Sequence, residues 1–303
     1  ILPGYLLWSA VYLALRAVLE PGDEVIIPMP GWVSYIEIVK LYGGVPVCVD
    51  TKPDYQLDIE AIEKAITPKT AAILINSPNN PTGAVYTRDS LERLVDLAVH
   101  HNFYIISDEV YEKLVYGDAK HVCISSLSKE AYEHTIVING MSKAFAMTGW
   151  RIGYSAAPAD IAHGLKDIQG HTTSNGVTFI QWAAIAALEN CDDDVAYMVE
   201  EYKKRRDYTF NRLTAMRGIT CKNVDGAFYL LPDVSYYYGR TVNGKEIKDS
   251  FDFCSYILDE AHVAIVPGAA FNAPEGVRVA YTNSMDKIVE ALDRMEKALA
   301  KIQ

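Results

Sequence analysis

Short β-branched runs that each give way to a longer segment of helical period constrain this chain more than any other feature. "EVIIP" precedes a helical pattern over 32–42, "AAILIN" precedes another over 87–101, and "FYIISDE" is followed by "TIVING". Strands joined through helices line up in a largely parallel sheet with the helices covering it. Leu91, Leu94, Val95, Ala98 and Val99 recur at three and four, which predicts an amphipathic helix with one face on that sheet. Residues 87–90 offer capping side chains at its start. From 177 to about 216 the pattern is helical throughout, with the charged "EEYKKRRDY" as a solvated face and the long helix as a connector. Beyond it come "GAFYLLP", a helix over 249–261, "VAIVP", "VRVAY" and a last helix over 284–302. The expectation is an α/β fold: a mostly parallel sheet with helices on both faces in residues 1–205, and a smaller α+β C-terminal domain in 206–303.

Charge and composition narrow the ligand. Against 39 Asp and Glu stand 28 Lys and Arg, a net charge of -11, so no basic face is on offer for a nucleic acid or an anionic membrane. A small molecule is the expected partner. The five cysteines stand far apart without a C-x-x-C pair, which fits neither a disulfide framework nor a zinc site and suits a reducing cytoplasm. The apolar opening "ILPGYLLWSAVYLALRAVL" has no basic residue ahead of it and carries Arg16 within it, so it reads as a buried helix ended by "EPGDE" rather than a membrane anchor.

In sheets of this kind ligands sit beyond the carboxyl ends of the strands. Three strand ends carry chemistry: "SPNNPTG" follows "AAILIN", "DEVY" follows "FYIIS", and "GMSK" follows "TIVIN". Singly, each has a plain structural explanation as turn, cap or solvated lysine. Together they supply an amide, a carboxylate, a phenol, a hydroxyl, an amine and, with Arg151, a guanidinium, and this inventory matches a phosphorylated pyridine aldehyde. A Schiff base needs an amine that is uncharged near neutral pH, and Lys143 is placed to be one. A pyridine ring withdraws electrons only while its nitrogen stays protonated, which a buried carboxylate enforces; Asp108 is the candidate, with Glu109 beside it but sent to the other face by strand alternation. Asn80 and Tyr111 can donate to the ring's phenolic oxygen. Arg151 and Ser142 suit a phosphate. Trp32 can stack on the ring, or simply belong to the core. Arg278, a guanidinium in the apolar "GVRVAY", suits a substrate carboxylate or a buried ion pair.

"NSPNNPTG", "SDEVY" and "SKAFAMTGWRIGY", in that order and at these separations, resemble the class I aminotransferases of the fold-type I pyridoxal-phosphate family. The likeness runs the whole chain, through "PGDEVIIPMPGWVSY", "TSN", "VPGAAF" and "VRVAYTNS". It implies that Lys143 is the Schiff-base lysine, Asp108 the partner of the pyridine nitrogen, and Asn80 and Tyr111 the ligands of the ring oxygen. Arg151 and Ser142 match the phosphate ligands, Trp32 the stacking ring, and Arg278 the clamp on the substrate's α-carboxylate. The implied reaction is a ping-pong transfer of an amino group between an L-amino acid and a 2-oxo acid, with pyridoxal 5'-phosphate as cofactor, in a homodimer with shared sites.

The chain also departs from that pattern. It begins at Ile and enters a helix almost at once, so an amino-terminal part of the family is expected to be lacking. Where the family has a glycine-led loop offering backbone N–H groups to the phosphate, this chain reads "PGYLLWSA", which is bulkier. Gly170 falls about where some aspartate-specific relatives carry an arginine for the distal carboxylate. A pyridoxal-phosphate lyase on the same fold, a non-catalytic cofactor-binding module and an inactive fragment therefore stand as alternatives.

Overall fold

The computed structural model describes residues 2–4 and 7–303, with side chains from Ser9 onward. Tyr5 and Leu6 of "PGYLLWSA" lie outside the described residues, so the expected change in the phosphate loop is not described there. The first half runs β1 (Leu2–Gly4), α1 (Leu7–Val18), β2 (Glu24–Met29), α2 (Ser34–Leu41), β3 (Val45–Asp50), α3 (Ile59–Ala65) and β4 (Thr70–Asn76). It continues with α4 (Arg88–His101), β5 (Tyr104–Asp108), α5 (Lys129–His134), β6 (Thr135–Gly140), α6 (Met141–Ala144), β7 (Gly153–Ala156) and α7 (Ala159–Thr172). The strands form one seven-stranded sheet in the order β1-β7-β6-β5-β4-β2-β3. Strands β2 to β6 are mutually parallel, and β7 is antiparallel to both of its neighbours.

The continuous apolar runs read from the sequence follow from burial on both faces. Val25, Ile27, Leu74, Ile106 and Ile136 pack with α1, α2 and α7, whereas Ile26, Ile73, Ile75 and Ile105 pack with α3, α4 and α5. Consecutive residues of one strand thus go to opposite layers, as the pleat requires. Helix α4 begins where expected: the Thr87 Oγ1 accepts a hydrogen bond from the Ser90 N–H at 3.3 Å, and the left-handed Asn102 closes it. Leu91, Leu94, Val95 and Ala98 are buried. Val99, expected on the same face, is 38% exposed. At 3.6 residues per turn it lies roughly a quarter-turn from the middle of the stripe, beyond the sheet's reach.

The rest of the chain comprises α8 (Thr178–Asn190), α9 (Asp192–Ala215), β8 (Tyr229–Leu230), the hairpin β9 (Thr241–Val242) and β10 (Lys245–Glu246), α10 (Ser250–Ala261), β11 (Val266–Pro267), β12 (Val277–Ala280) and α11 (Met285–Leu299). The single helical region expected over 177–216 is two helices that meet at Cys191. Asp192, Asp193 and Asp194 open α9, where acidic side chains favour a helix start. Strands β11, β12 and β8 form an antiparallel three-stranded sheet. Its core, with Phe253, Ile257, Tyr281 and Leu292, also takes in Val110, Tyr111 and Leu114 from the segment after β5. Among the described residues no helix is long and apolar enough to cross a membrane, and all five cysteines are free.

Candidate active site

The carboxyl ends of β2, β4, β5 and β6 open on one side of the sheet, and a cavity of about 340 Å³ lies against them. Trp32 and Tyr35 reach it from the segment after β2, Asn76 and Asn80 from the end of β4, Asp108 and Tyr111 from the end of β5, and Ser142 and Lys143 from α6. Thr148 and Arg151 border it from the loop before β7, and Tyr229 and Arg278 come from β8 and β12. Trp32, Asn80, Asp108, Tyr111, Ser142, Lys143, Arg151 and Arg278, the site residues expected from the sequence, all line this one cavity.

Local bonds fix these groups. The Asn76 Nδ2 donates to the Asp108 carbonyl at 2.9 Å, and its Oδ1 accepts from the Asn80 N–H at 2.8 Å, which ties the "SPNNPTG" loop to the end of β5. Gly83 in that loop has φ +78°, and a Cβ there would stand 2.6 Å from Val224 and 2.9 Å from the Tyr229 carbonyl oxygen. Only glycine lets the loop approach β8 so closely.

Asp108 is 1% exposed. Its Oδ2 accepts from the Tyr35 hydroxyl at 2.6 Å and its Oδ1 from the Val110 N–H at 3.2 Å. Burial raises its pKa to about 6, against the two hydrogen bonds that lower it. Glu109 points the other way, as the alternation predicts: its carboxylate takes the Ser107 hydroxyl at 2.9 Å and lies 2.9 Å from the His121 Nε2. The Lys143 ammonium lies 5.5 Å from the ring centroid of Phe228 and 5.8 Å from that of Tyr111. Burial, then the Arg278 charge, lowers its pKa; Asp108 opposes this and Arg151 adds to it.

Arg278 makes no buried ion pair among the described residues. Its Nη1 donates to the Asn80 Oδ1 at 2.9 Å, and its Nε is buried without a partner. Because a guanidinium can only donate, this bond also leaves the Asn80 Nδ2 as the amide's free donor. The guanidinium of Arg151 bonds the Thr148 carbonyl.

These groups fit pyridoxal phosphate. A buried carboxylate with no cation bonded to it suits a protonated ring nitrogen, an orphaned guanidinium nitrogen suits a carboxylate, and Ser142, Thr148 and Arg151 gather hydroxyls and charge for a phosphate. The family model for aminotransferase class I and II matches residues 8–295. The chain belongs to the aminotransferase class I and II family. It is 45% identical to the aspartate aminotransferase of Bacillus sp. (strain YM-2) over 289 residues, 95% of this chain and 73% of that one. It superposes on the aspartate aminotransferase of Rhizobium meliloti with a TM-score of 0.95 at 36% identity, covering 99% of this chain and 76% of that one. The aromatic aminotransferase of Pyrococcus horikoshii gives 0.92 at 41% identity, covering 98% and 78%. The mostly parallel sheet is that of the fold-type I transferases, and the chain is a pyridoxal-phosphate-dependent aminotransferase acting between amino acids and 2-oxo acids.

Five of this aminotransferase's cavity residues were not singled out from the sequence: Tyr35, Asn76, Val110, Thr148 and Tyr229. Asn76 is the last residue of "AAILIN", so strand-end position pointed to it.

Proposed function

We propose that Lys143 attaches the cofactor and carries the proton transfer, and that Asp108 holds a proton on its ring nitrogen. The observation behind this reading is that the amine of Lys143 and the carboxylate of Asp108 face one cavity with two guanidinium groups. When bound, pyridoxal phosphate supplies an aldehyde for amines to condense with and a cationic ring that draws electrons from the breaking bond. A lowered pKa gives Lys143 a larger neutral fraction, first as nucleophile and, once displaced by substrate, as the base that takes the α-proton and returns it to the cofactor. The Tyr111 hydroxyl and the Asn80 Nδ2 donate to the ring oxygen. Arg151 and Ser142 hold the phosphate, Trp32 covers the ring, and Arg278 clamps the α-carboxylate of each amino and oxo acid in turn.

The donor we assign is aspartate. This rests on relatives such as that of Bacillus sp. (strain YM-2), which bears the name aspartate aminotransferase. A homodimer is the assembly we infer, because α8 exposes the apolar side chains Phe179 and Trp182, each at 68%, together with Ile185 and Leu188, which a second copy would cover. Residues 1–205 and 206–303 form its large and small domains, with α9 as connector. Free cysteines and acidic charge suit the cytoplasm.

Adding pyridoxal phosphate to the purified chain should give a visible absorbance that borohydride fixes onto Lys143, located by peptide mass. Aspartate should bleach the unreduced band. Lys143→Ala should lose the fixation and turnover while keeping measurable cofactor binding through Arg151 and Asp108. A label on another lysine, or full turnover in that variant, defeats the assignment.

A further inference from the structure

One tyrosine touches both the ring-oxygen side of the cavity and its carboxylate side. Tyr229, 6% exposed at the start of β8, places its hydroxyl 2.9 Å from that of Tyr111. Its ring also lies against Arg278, whose Cζ is 4.6 Å from the ring centroid, while the ring of Phe271 stands 4.7 Å from the same atom.

A bond between two phenols can run in either sense. Burial pushes both hydroxyls up, so each keeps its single hydrogen at neutral pH and has lone pairs to accept with. If Tyr111 gives its hydrogen to Tyr229, it has none for the cavity. If Tyr229 gives, the hydrogen of Tyr111 is free. An ionised phenolic oxygen only accepts, so it selects the second sense, and the nearby Arg278 charge strengthens Tyr229 as the donor. We propose that Tyr229 is a positioning residue: its hydroxyl donates to Tyr111 and so turns the Tyr111 hydrogen toward the cofactor's ring oxygen, while its ring seats Arg278. The proposal rests on the reading of Tyr111 as a ligand of that oxygen. The bonded pair also polarises itself, which makes Tyr111 a better donor than it would be alone.

The test uses the full chain loaded with pyridoxal phosphate. Stabilising negative charge on the ring oxygen favours the deprotonated chromophore, so losing the Tyr229 bond that orients and polarises Tyr111 should raise the pH midpoint of the visible absorbance. For Tyr229→Phe, which leaves Tyr111 as a donor but no longer polarised, the expected rise is about a tenth to a third of a pH unit, a 10–30% share of one net hydrogen bond. Its KM for the amino acid should stay within about twofold, because the phenyl ring still lies under Arg278. Tyr229→Leu should show the same rise together with a KM increase of roughly fivefold. In a Tyr111→Phe background, Tyr229→Phe should move the midpoint no further, since its effect runs through Tyr111. Circular dichroism establishes that each variant is folded. An unmoved midpoint in Tyr229→Phe, or a further rise in the Tyr111→Phe background, overturns this proposal alone. A wild-type chain that gains no visible band overturns the assignment of the cofactor ligands and this proposal with it.

Discussion

On the proposed reading Asp108 is buried for the cofactor's sake and at the fold's expense, and Asp108→Asn exposes the difference. In the cofactor-free chain, burial moves this carboxyl from 3.8 to about 6. A raised folded pKa means that the fold prefers the neutral acid. Stability from this group is full below the unfolded value and is lost as pH rises through about 6. A shift of about two units at 1.36 kcal/mol each makes the ion a burden of roughly 3 kcal/mol at neutral pH and above. Asparagine is isosteric and uncharged, so it removes that burden. It still accepts from the Tyr35 hydroxyl, but its NH2 cannot accept from the Val110 N–H, and that lost bond costs about 1 kcal/mol at every pH.

The net expectation for the cofactor-free variant is a gain of roughly 2 kcal/mol over the wild type near pH 8, shrinking to about 0.5 near pH 5. Urea denaturation of both proteins at the two pH values measures it, and taking the difference between them cancels the other carboxylates. With pyridoxal phosphate bound the order should reverse, because only the wild-type carboxylate then faces a ring nitrogen that needs its charge. A difference that does not change with pH would refute the argument, whatever its sign, since the whole effect is assigned to one titration.

Three further expectations follow from the same cavity and its surroundings. On the proposed reading Arg278→Ala removes a charge-assisted, two-pronged contact with the substrate carboxylate, so kcat/KM should fall at least about 100-fold, mostly in KM; an unchanged KM would place the clamp elsewhere. Tyr35→Phe deletes the 2.6 Å bond that favours the ionised form of Asp108. With the carboxylate form proposed to bind the ring nitrogen, cofactor binding, lost as pH falls through the Asp108 pKa, should be lost at a higher pH in this variant, which equilibrium dialysis across pH can follow. Phe179→Glu combined with Trp182→Glu should shift sedimentation toward a single chain without unfolding it, and an unchanged distribution would remove α8 from the interface.

Much of this was legible before any coordinates. A strand buried on both faces must be apolar along its whole length, so "AAILIN" and "TIVING" announced themselves, and groups with chemistry directly after such strands had to gather at one edge of the sheet. Val99 and the break at Cys191 were not legible, because where a helical stripe stops facing its sheet, or where one helix hands over to the next, depends on what lies opposite. Tyr35 and Tyr229 were missed for a related reason. Their partners lie 73 and 118 residues away in the chain, at Asp108 and Tyr111, and no local pattern encodes a contact across that separation.

The pair Asp108 and Glu109 shows where the division falls. Two adjacent carboxylates in "SDEVY" are chemically near-identical, and the pleat alone sends them to opposite faces. Their different fates come from what waits on each side. Glu109 meets the Ser107 hydroxyl and the imidazole of His121, and these bonds occupy it. Asp108 meets a phenol and a backbone N–H, which hold the carboxylate in place without neutralising it. A buried, oriented and unneutralised anion is costly in a core and useful only against a cation brought in from outside. On the proposed reading the burial that raises its pKa is therefore the same feature that would make the site specific for a ring carrying a positive charge, and a loss of stability without the ligand is what that specificity should look like in a denaturation curve.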